Sequence, residues 1–155
     1  MELKARDVMT HAVRVIEADL PLTELEHRFL ADEVGAYAVC QAGKLVGVVT
    51  RTDVLKEMDL DNTIEQLAAD QVTNAVATSS GSSLAPTVSD VMTRDYHSVD
   101  LDEPLSEIAK TMFHHKLHHI FVVEVGQVKG VISSFDFVRL YVEDQIGGQH
   151  KDESE

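Results

Sequence analysis

The sequence predicts a mixed α/β fold of the α+β kind, built from two β-α-β-β-α repeats. Three observations carry that prediction: short motifs that return at a constant offset, one apolar helical stripe in each half, and two strands around a glycine turn in each half. Adding 83 to a residue number in the first half lands on its counterpart without a gap. Asp7-Val8-Met9-Thr10 becomes Asp90-Val91-Met92-Thr93; Asp19, Pro21, Leu22 and Glu24 match Asp102, Pro104, Leu105 and Glu107. Val39, Gly43, Gly47, Val48 and Asp53 match Val122, Gly126, Gly130, Val131 and Asp136, giving 13 identities over 49 aligned pairs. An ungapped match concentrated in motifs is the mark of a duplication.

Each half then reads in the same order. After "DVMT" comes a short strand, "AVRVI" at 12–16 and "YHSV" at 96–99. Asp19 and Asp102 stand where a helix N-cap is expected, with Pro21 and Pro104 in the first turn, where a missing N–H costs nothing. Leu22, Leu25 and Phe29 share helical spacing, as do Leu105, Ile108, Ala109 and Met112, so each helix has one face to bury. Two strands follow around Gly43 and Gly126, at 37–49 and 120–132, and a second helix opens near Asp53 and Asp136. A half of this size buries too little surface to be comfortable alone, so the two are expected to share a core. Between them, Thr63-Ile-Glu-Gln66 has capping-box form and opens a short helix, while 73–87 has the composition of a flexible connector. The expected organisation is a first repeat over 1–60, a helix and linker over 61–87, a second repeat over 88–146 and a disordered tail over 147–155.

Composition narrows the function. Thirteen basic against twenty-seven acidic residues give a net charge of −14, which repels phosphate backbones, so no nucleic-acid partner is expected. No apolar run approaches the ~20 residues of a membrane span, and the start lacks a signal core, so a cytoplasmic protein without membrane contact is expected. The single Cys40 lies in an apolar stretch and reads as a small buried hydrophobe.

The phrases "GVVTRTDVL" and "GVISSFDFV" raise the question of what their aspartates do. Thr50 and Ser133 end a strand, and Asp53 and Asp136 follow three residues on, in the first turn of a helix. Hydroxyl and carboxylate at a helix start can converge on a polyhydroxyl ligand, the carboxylate accepting two bonds from a vicinal diol such as ribose. The same aspartates can equally do no more than stabilise their helix N-termini, and local chemistry leaves both readings open.

The whole pattern resembles a tandem pair of CBS domains (cystathionine-β-synthase domains), also called a Bateman module. The matching pieces are the two "DVMT" motifs, "ADLPLTEL" and "LDEPLSEI", and "GKLVGVVTRTDVL" and "GQVKGVISSFDFV", covering about 3–57 and 86–143. The resemblance implies two repeats packed about a pseudo-twofold axis with a cleft on each side. It also implies a regulatory, energy-sensing role for adenine nucleotide binding, homodimerisation through helical faces, and signalling to an unknown effector protein. It implies no enzyme activity and no cofactor, the regulatory ligand being AMP, ATP or S-adenosylmethionine. Carried over, one cleft holds Thr50 and Asp53 with Thr93, Arg94 and Tyr96; the other holds Ser133 and Asp136 with Thr10, His11 and Val13. Tyr37, Ala38, His119 and Phe121 would border the base, and Arg51, Arg94 and His119 are the candidates for phosphate contacts. Ala38 and Phe121 stand where family members often have proline, and Phe121 would either stack on an adenine or block the pocket. The negative charge penalises ATP more than AMP or S-adenosylmethionine. A scaffold with unused clefts and a divalent-cation sensor are the alternatives.

"HHKLHH" at 114–119 offers His114/His118 and His115/His119 at the spacing of helical metal ligands. The repeat register ends the helix near Lys116 or Leu117, so the pairs are not expected to share a face, and no metal site is expected. Asp59, Asp61 and Asp70 read as a solvated helix face rather than a magnesium-responsive surface. No nucleophile elbow, phosphate loop or metalloprotease motif is present in the sequence.

Overall fold

The computed structural model describes residues 2–58 and 85–148. The helix expected at Thr63, Asp59, Asp61 and Asp70, the connector up to residue 84 and the tail from Gln149 lie outside the described residues. In chain order the elements are α1 (Ala5–Val8), β1 (Val15–Glu17), α2 (Leu22–Asp32), β2 (Ala36–Gln41), β3 (Lys44–Thr50) and α3 (51–58). They continue with α4 (Val88–Val91), β4 (Ser98–Val99), α5 (Leu105–His115), β5 (His119–Glu124), β6 (Gln127–Ser133) and α6 (Ser134–Gly148). The mixed α+β architecture is the one expected from the sequence. Gly147 and Gly148, assigned above to the tail, continue α6.

Two elements were not expected. The "DVMT" motifs form single helical turns, α1 and α4, whose aspartates reach back to the chain before them. The Lys4 N–H donates to Asp7 Oδ2 at 2.9 Å, and the Thr87 N–H donates to Asp90 Oδ2 at 2.7 Å. A carboxylate at the third helical position thus satisfies the backbone donor that precedes the helix.

The chain divides into two compact units, Arg14–Tyr96, and Met1–Val13 with His97–Glu155. In the first, β1 pairs parallel with β2 (Ile16 opposite Val39) and β2 pairs antiparallel with β3 (Ala36 opposite Thr50). In the second, β4 pairs parallel with β5 (Val99 opposite Val122) and β5 antiparallel with β6 (His119 opposite Ser133). Each ladder shifts register at the same repeat position, Val39/Cys40 and Val122/Val123. Each unit therefore holds one repeat's sheet and the one-turn helix that opens the other repeat.

The cores follow that exchange. Leu22, Leu25, Phe29, Tyr37, Val39, Val49 and Val54 of the first unit enclose Val88 and Met92 from α4. Ile108, Met112, Ile120, Val122 and Ile132 of the second enclose Ala5 and Met9 from α1. Burying one such methionine stabilises by roughly 1.5–3 kcal/mol.

The prolines sit two positions earlier in their helices than expected. Pro21 and Pro104 are the N-cap residues themselves, with extended backbone, and Asp19 and Asp102 lie outside their helices. The Pro21 carbonyl accepts from Glu24 and Leu25, opening the helix, while the Leu22 N–H donates to Pro86 O and the Leu105 N–H to Leu3 O. The segment that leads into α4 or α1 thus takes the donor that an aspartate side chain would otherwise cap. Asp102 instead pairs at the surface with Lys4 (3.2 Å) and Arg6 (2.7 Å).

Candidate functional site

At the end of β3, the Thr50 N–H and hydroxyl both donate to Asp53 Oδ2, at 2.8 and 2.9 Å. At the end of β6, the Ser133 N–H and hydroxyl donate to Asp136 Oδ2, both at 2.8 Å. Each aspartate thus caps the strand-to-helix junction, and in the first unit the cap is reciprocal, the Asp53 N–H donating to Thr50 Oγ1 at 3.3 Å. So both aspartates do the helix-start work that the sequence reading set beside a ligand role. That work uses Oδ2. Asp136 Oδ1 has a long contact to Arg139 (3.4 Å), and Asp53 Oδ1 receives no hydrogen bond among the described residues. A capped carboxylate is held in one orientation and keeps acceptor capacity on its second oxygen.

The lead-ins lie beside these caps. Thr93 exchanges both backbone bonds with Val48 (3.0 and 2.8 Å), and Thr10 does so with Val131 (2.9 and 3.1 Å). Val48 and Val131 are two residues before Thr50 and Ser133, so Thr93 and Arg94, and Thr10 and His11, run along the strands that end in the caps. Thr10, His11, Thr93 and Arg94 are exposed and Val13 half-buried. Tyr96 is turned elsewhere: its hydroxyl donates to Leu45 O at 3.0 Å, five residues and about 17 Å of strand from Thr50.

The cations are partly committed. Arg94 donates to Ser89 O and Oγ (3.2 and 2.8 Å). Arg51 donates to Phe29 O at 3.1 Å and lies 6.0 Å above the Phe29 ring, over α2.

In the middle strands the face of the sheet decides what each residue can offer. Tyr37 points into the first core, 1% exposed, with its ring 4.8 Å from Phe29 and its hydroxyl donating to Asp32 at 2.6 Å. Burial and the Asp32 carboxylate push the phenol well above its ordinary value, and the Tyr37 hydroxyl in turn holds Asp32 below the usual carboxylate range. Sequence reasoning missed this pair because its members lie on different elements. Ala38 and Phe121, next along the strands from Tyr37 and Ile120, are on the opposite sheet face and are buried. His119 lies directly across the ladder from Ser133, half-buried. Burial and the neighbouring His118 lower its pKa from the ordinary value, against the opposing pull of Asp136.

The histidine run is split by the helix end. α5 stops at His115, and Lys116 is left-handed (φ 55°), so His118 and His119 leave on another course. His115 stacks on His97 instead, ring centroids 3.8 Å apart. Among the described residues no three His, Cys, Asp or Glu side chains gather as metal ligands. Cys40 is buried, and burial first, then Glu17, raises its thiol pKa.

Two further features escaped the sequence reading. A side chain on Gly47 would meet Met92 Sδ at 2.7 Å, and one on Gly130 would meet the Met9 side chain, so both glycines answer to the methionine of "DVMT". In addition, the two longer helices of each repeat leave open apolar grooves, about 300 Å³ between α2 and α3 and about 790 Å³ between α5 and α6. Leu30 and Phe113, counterparts in the duplication, are each 81% exposed at these grooves. No helix among the described residues is long and apolar enough to cross a membrane.

Comparison with known proteins agrees with the fold. The CBS domain model matches residues 5–60 and 88–143. The A-adding tRNA nucleotidyltransferase of Aquifex aeolicus is 30% identical over 152 residues, 93% of this chain but 15% of its own length. The chain spans 41% or less of the curated relatives it matches. Among solved structures, the CBS domain pair of protein MJ0100 in complex with 5′-methylthioadenosine and S-adenosyl-L-methionine superposes with a TM-score of 0.72 at 19% identity, covering 96% of this chain and 99% of that one. CBSX2 in complex with AMP gives 0.70 at 21% identity, covering 92% and 98%. With its two matched segments spanning most of its length, the chain belongs to the CBS domain family.

Proposed function

We propose that this chain is a non-catalytic regulatory module that binds an adenosine-containing ligand beside its two capped aspartates and passes the bound state to a partner protein. The observation that carries this reading is the recurrence, at both sites, of a hydroxyl–aspartate cap bordered by an exposed Thr-Arg or Thr-His lead-in. A ribose diol donating to Oδ1 of Asp53 or Asp136 would leave the cap intact, and charge-assisted bonds of this kind contribute about 1.5–3 kcal/mol each. The relatives solved with AMP and with S-adenosyl-L-methionine support the ligand class. The net charge of −14, and the engagement of Arg51 and Arg94 by protein carbonyls, favour a monophosphate or S-adenosylmethionine over ATP.

The output surface in this reading is the helical face. The exposed Leu30, Leu55 and Met58 of one groove and Phe113, Val138 and Tyr141 beside the other are suited to a second copy of the chain. Phe113→Glu with Leu30→Glu would then leave a monomer in analytical ultracentrifugation; an unchanged mass in solution refutes the dimer.

Calorimetric titration with AMP, ADP, ATP, S-adenosylmethionine and NAD tests the ligand. Saturable binding to one of them, abolished in the Asp53→Asn/Asp136→Asn protein, is the expected result. Silence across the panel would overturn it in favour of a scaffold, the reading that the burial of Phe121 favours.

A further inference from the structure

The two sites are copies in backbone but not in charge. In the duplication, His119 takes the place of Ala36 and His11 takes the place of Arg94. At these positions the first repeat therefore carries alanine and arginine, and the second carries two histidines. His119 sits opposite Ser133 in the antiparallel ladder, where facing side chains share one side of the sheet with Cβ atoms about 5 Å apart. Ser133 is in turn hydrogen-bonded to Asp136, so imidazole, hydroxyl and carboxylate form one cluster.

We propose that the Ser133–Asp136 site couples ligand binding to proton uptake at His119, holding an anionic nucleoside more tightly as pH falls, while the Thr50–Asp53 site does not. This rests on the adenosine-ligand reading above and adds its regulation. The groups that face His119 are Asp136 from α6, His118 beside it in the chain, and the neutral Ser133 across the ladder from β6. Burial and His118 keep the imidazole neutral at neutral pH, so the unliganded site has a proton to gain. A phosphate at the site favours the imidazolium, and linkage then requires that protonation favour the phosphate to the same extent.

The test isolates each site with Asp53→Asn or Asp136→Asn and measures AMP and adenosine by calorimetry at about pH 8 and about pH 6, near the ordinary histidine range. With the second site alone, AMP is expected to tighten by about threefold or more on acidification, with proton uptake seen as heat that depends on the buffer. Adenosine, lacking phosphate, should not tighten, and neither should AMP at the first site alone. His119→Gln should remove the tightening; what remains is the phosphate's own titration near pH 6, which acts in the opposite direction. Retention of the full tightening in His119→Gln overturns the proposal. In the intact protein, the His119 ring signals should shift their titration midpoint upward on saturation with AMP, and an unmoved midpoint overturns it without any variant. Absence of AMP binding at both pH values would instead remove the ligand reading on which the proposal rests.

Discussion

The thioether of Met9 occupies the space that a side chain on Gly130 would need, and Met92 stands in the same relation to Gly47. A methionine in a one-turn helix and a glycine in a strand, far apart in sequence, are thereby made mutually dependent. Gly130→Ala should cost about 1–3 kcal/mol, the usual cost of overpacking a closed core. Met9→Ala should recover part of that loss, and urea denaturation of the double-mutant cycle measures it; additive losses would mean that the two do not meet.

The caps predict a split between two substitutions of one residue. Asp136→Ala removes the acceptor for the Ser133 N–H and hydroxyl and should cost about 1 kcal/mol. Asp136→Asn keeps an amide oxygen there and should cost clearly less. Equal melting losses would show that charge at the helix start, rather than the hydrogen bond, is what Asp136 contributes.

The Tyr37–Asp32 pair predicts opposite effects at the two ends of the pH scale. The Tyr37 pKa is raised in the folded chain, so its contribution is complete below pH 10, the ordinary tyrosine value, and is lost as pH rises above it. Asp32 is lowered, so its contribution is complete above its ordinary value of 3.8 and is lost as pH falls below that. Tyr37→Phe should melt lower at neutral pH while its melting temperature falls less steeply in strong alkali than that of the parent. Parallel curves would refute the assignment.

The hairpin turns predict a stabilising change. Val125 has φ 49° and Gly126 φ 77°, the two positive values of a type I′ turn, and Val125 is 90% exposed. A β-branched residue is poorly suited to that conformation, so Val125→Asn should gain about 1 kcal/mol, read as a higher melting temperature. A lower one would mean that Val125 is covered by a partner or contributes packing there.

Much of the fold was legible because it is written twice: Gly43 and Gly126 mark the hairpins, and Leu25, Phe29, Ile108 and Met112 mark the buried helix faces. The helix starts were misplaced by two positions because the donor at Leu22 is satisfied by Pro86, a partner 64 residues away that no local pattern announces. The candidate site was less legible. A carboxylate three residues after a hydroxyl reads equally as a cap and as a ribose acceptor, and the geometry here assigns the first role to Oδ2 of both aspartates. The turning of the Tyr37 and Tyr96 hydroxyls toward Asp32 and Leu45 depended on sheet face and tertiary contact.

The exchange of α1 and α4 between units means that the genetic repeat and the folded unit are out of phase by about a dozen residues. A cut at the repeat boundary would strip each sheet of the methionine that closes it, exposing Gly47 or Gly130 at a raw edge. The chain is in this sense a domain swap carried out within one molecule. Each core is closed by the opening turn of the other repeat, so neither repeat can be inherited, excised or transplanted as a working piece without that turn.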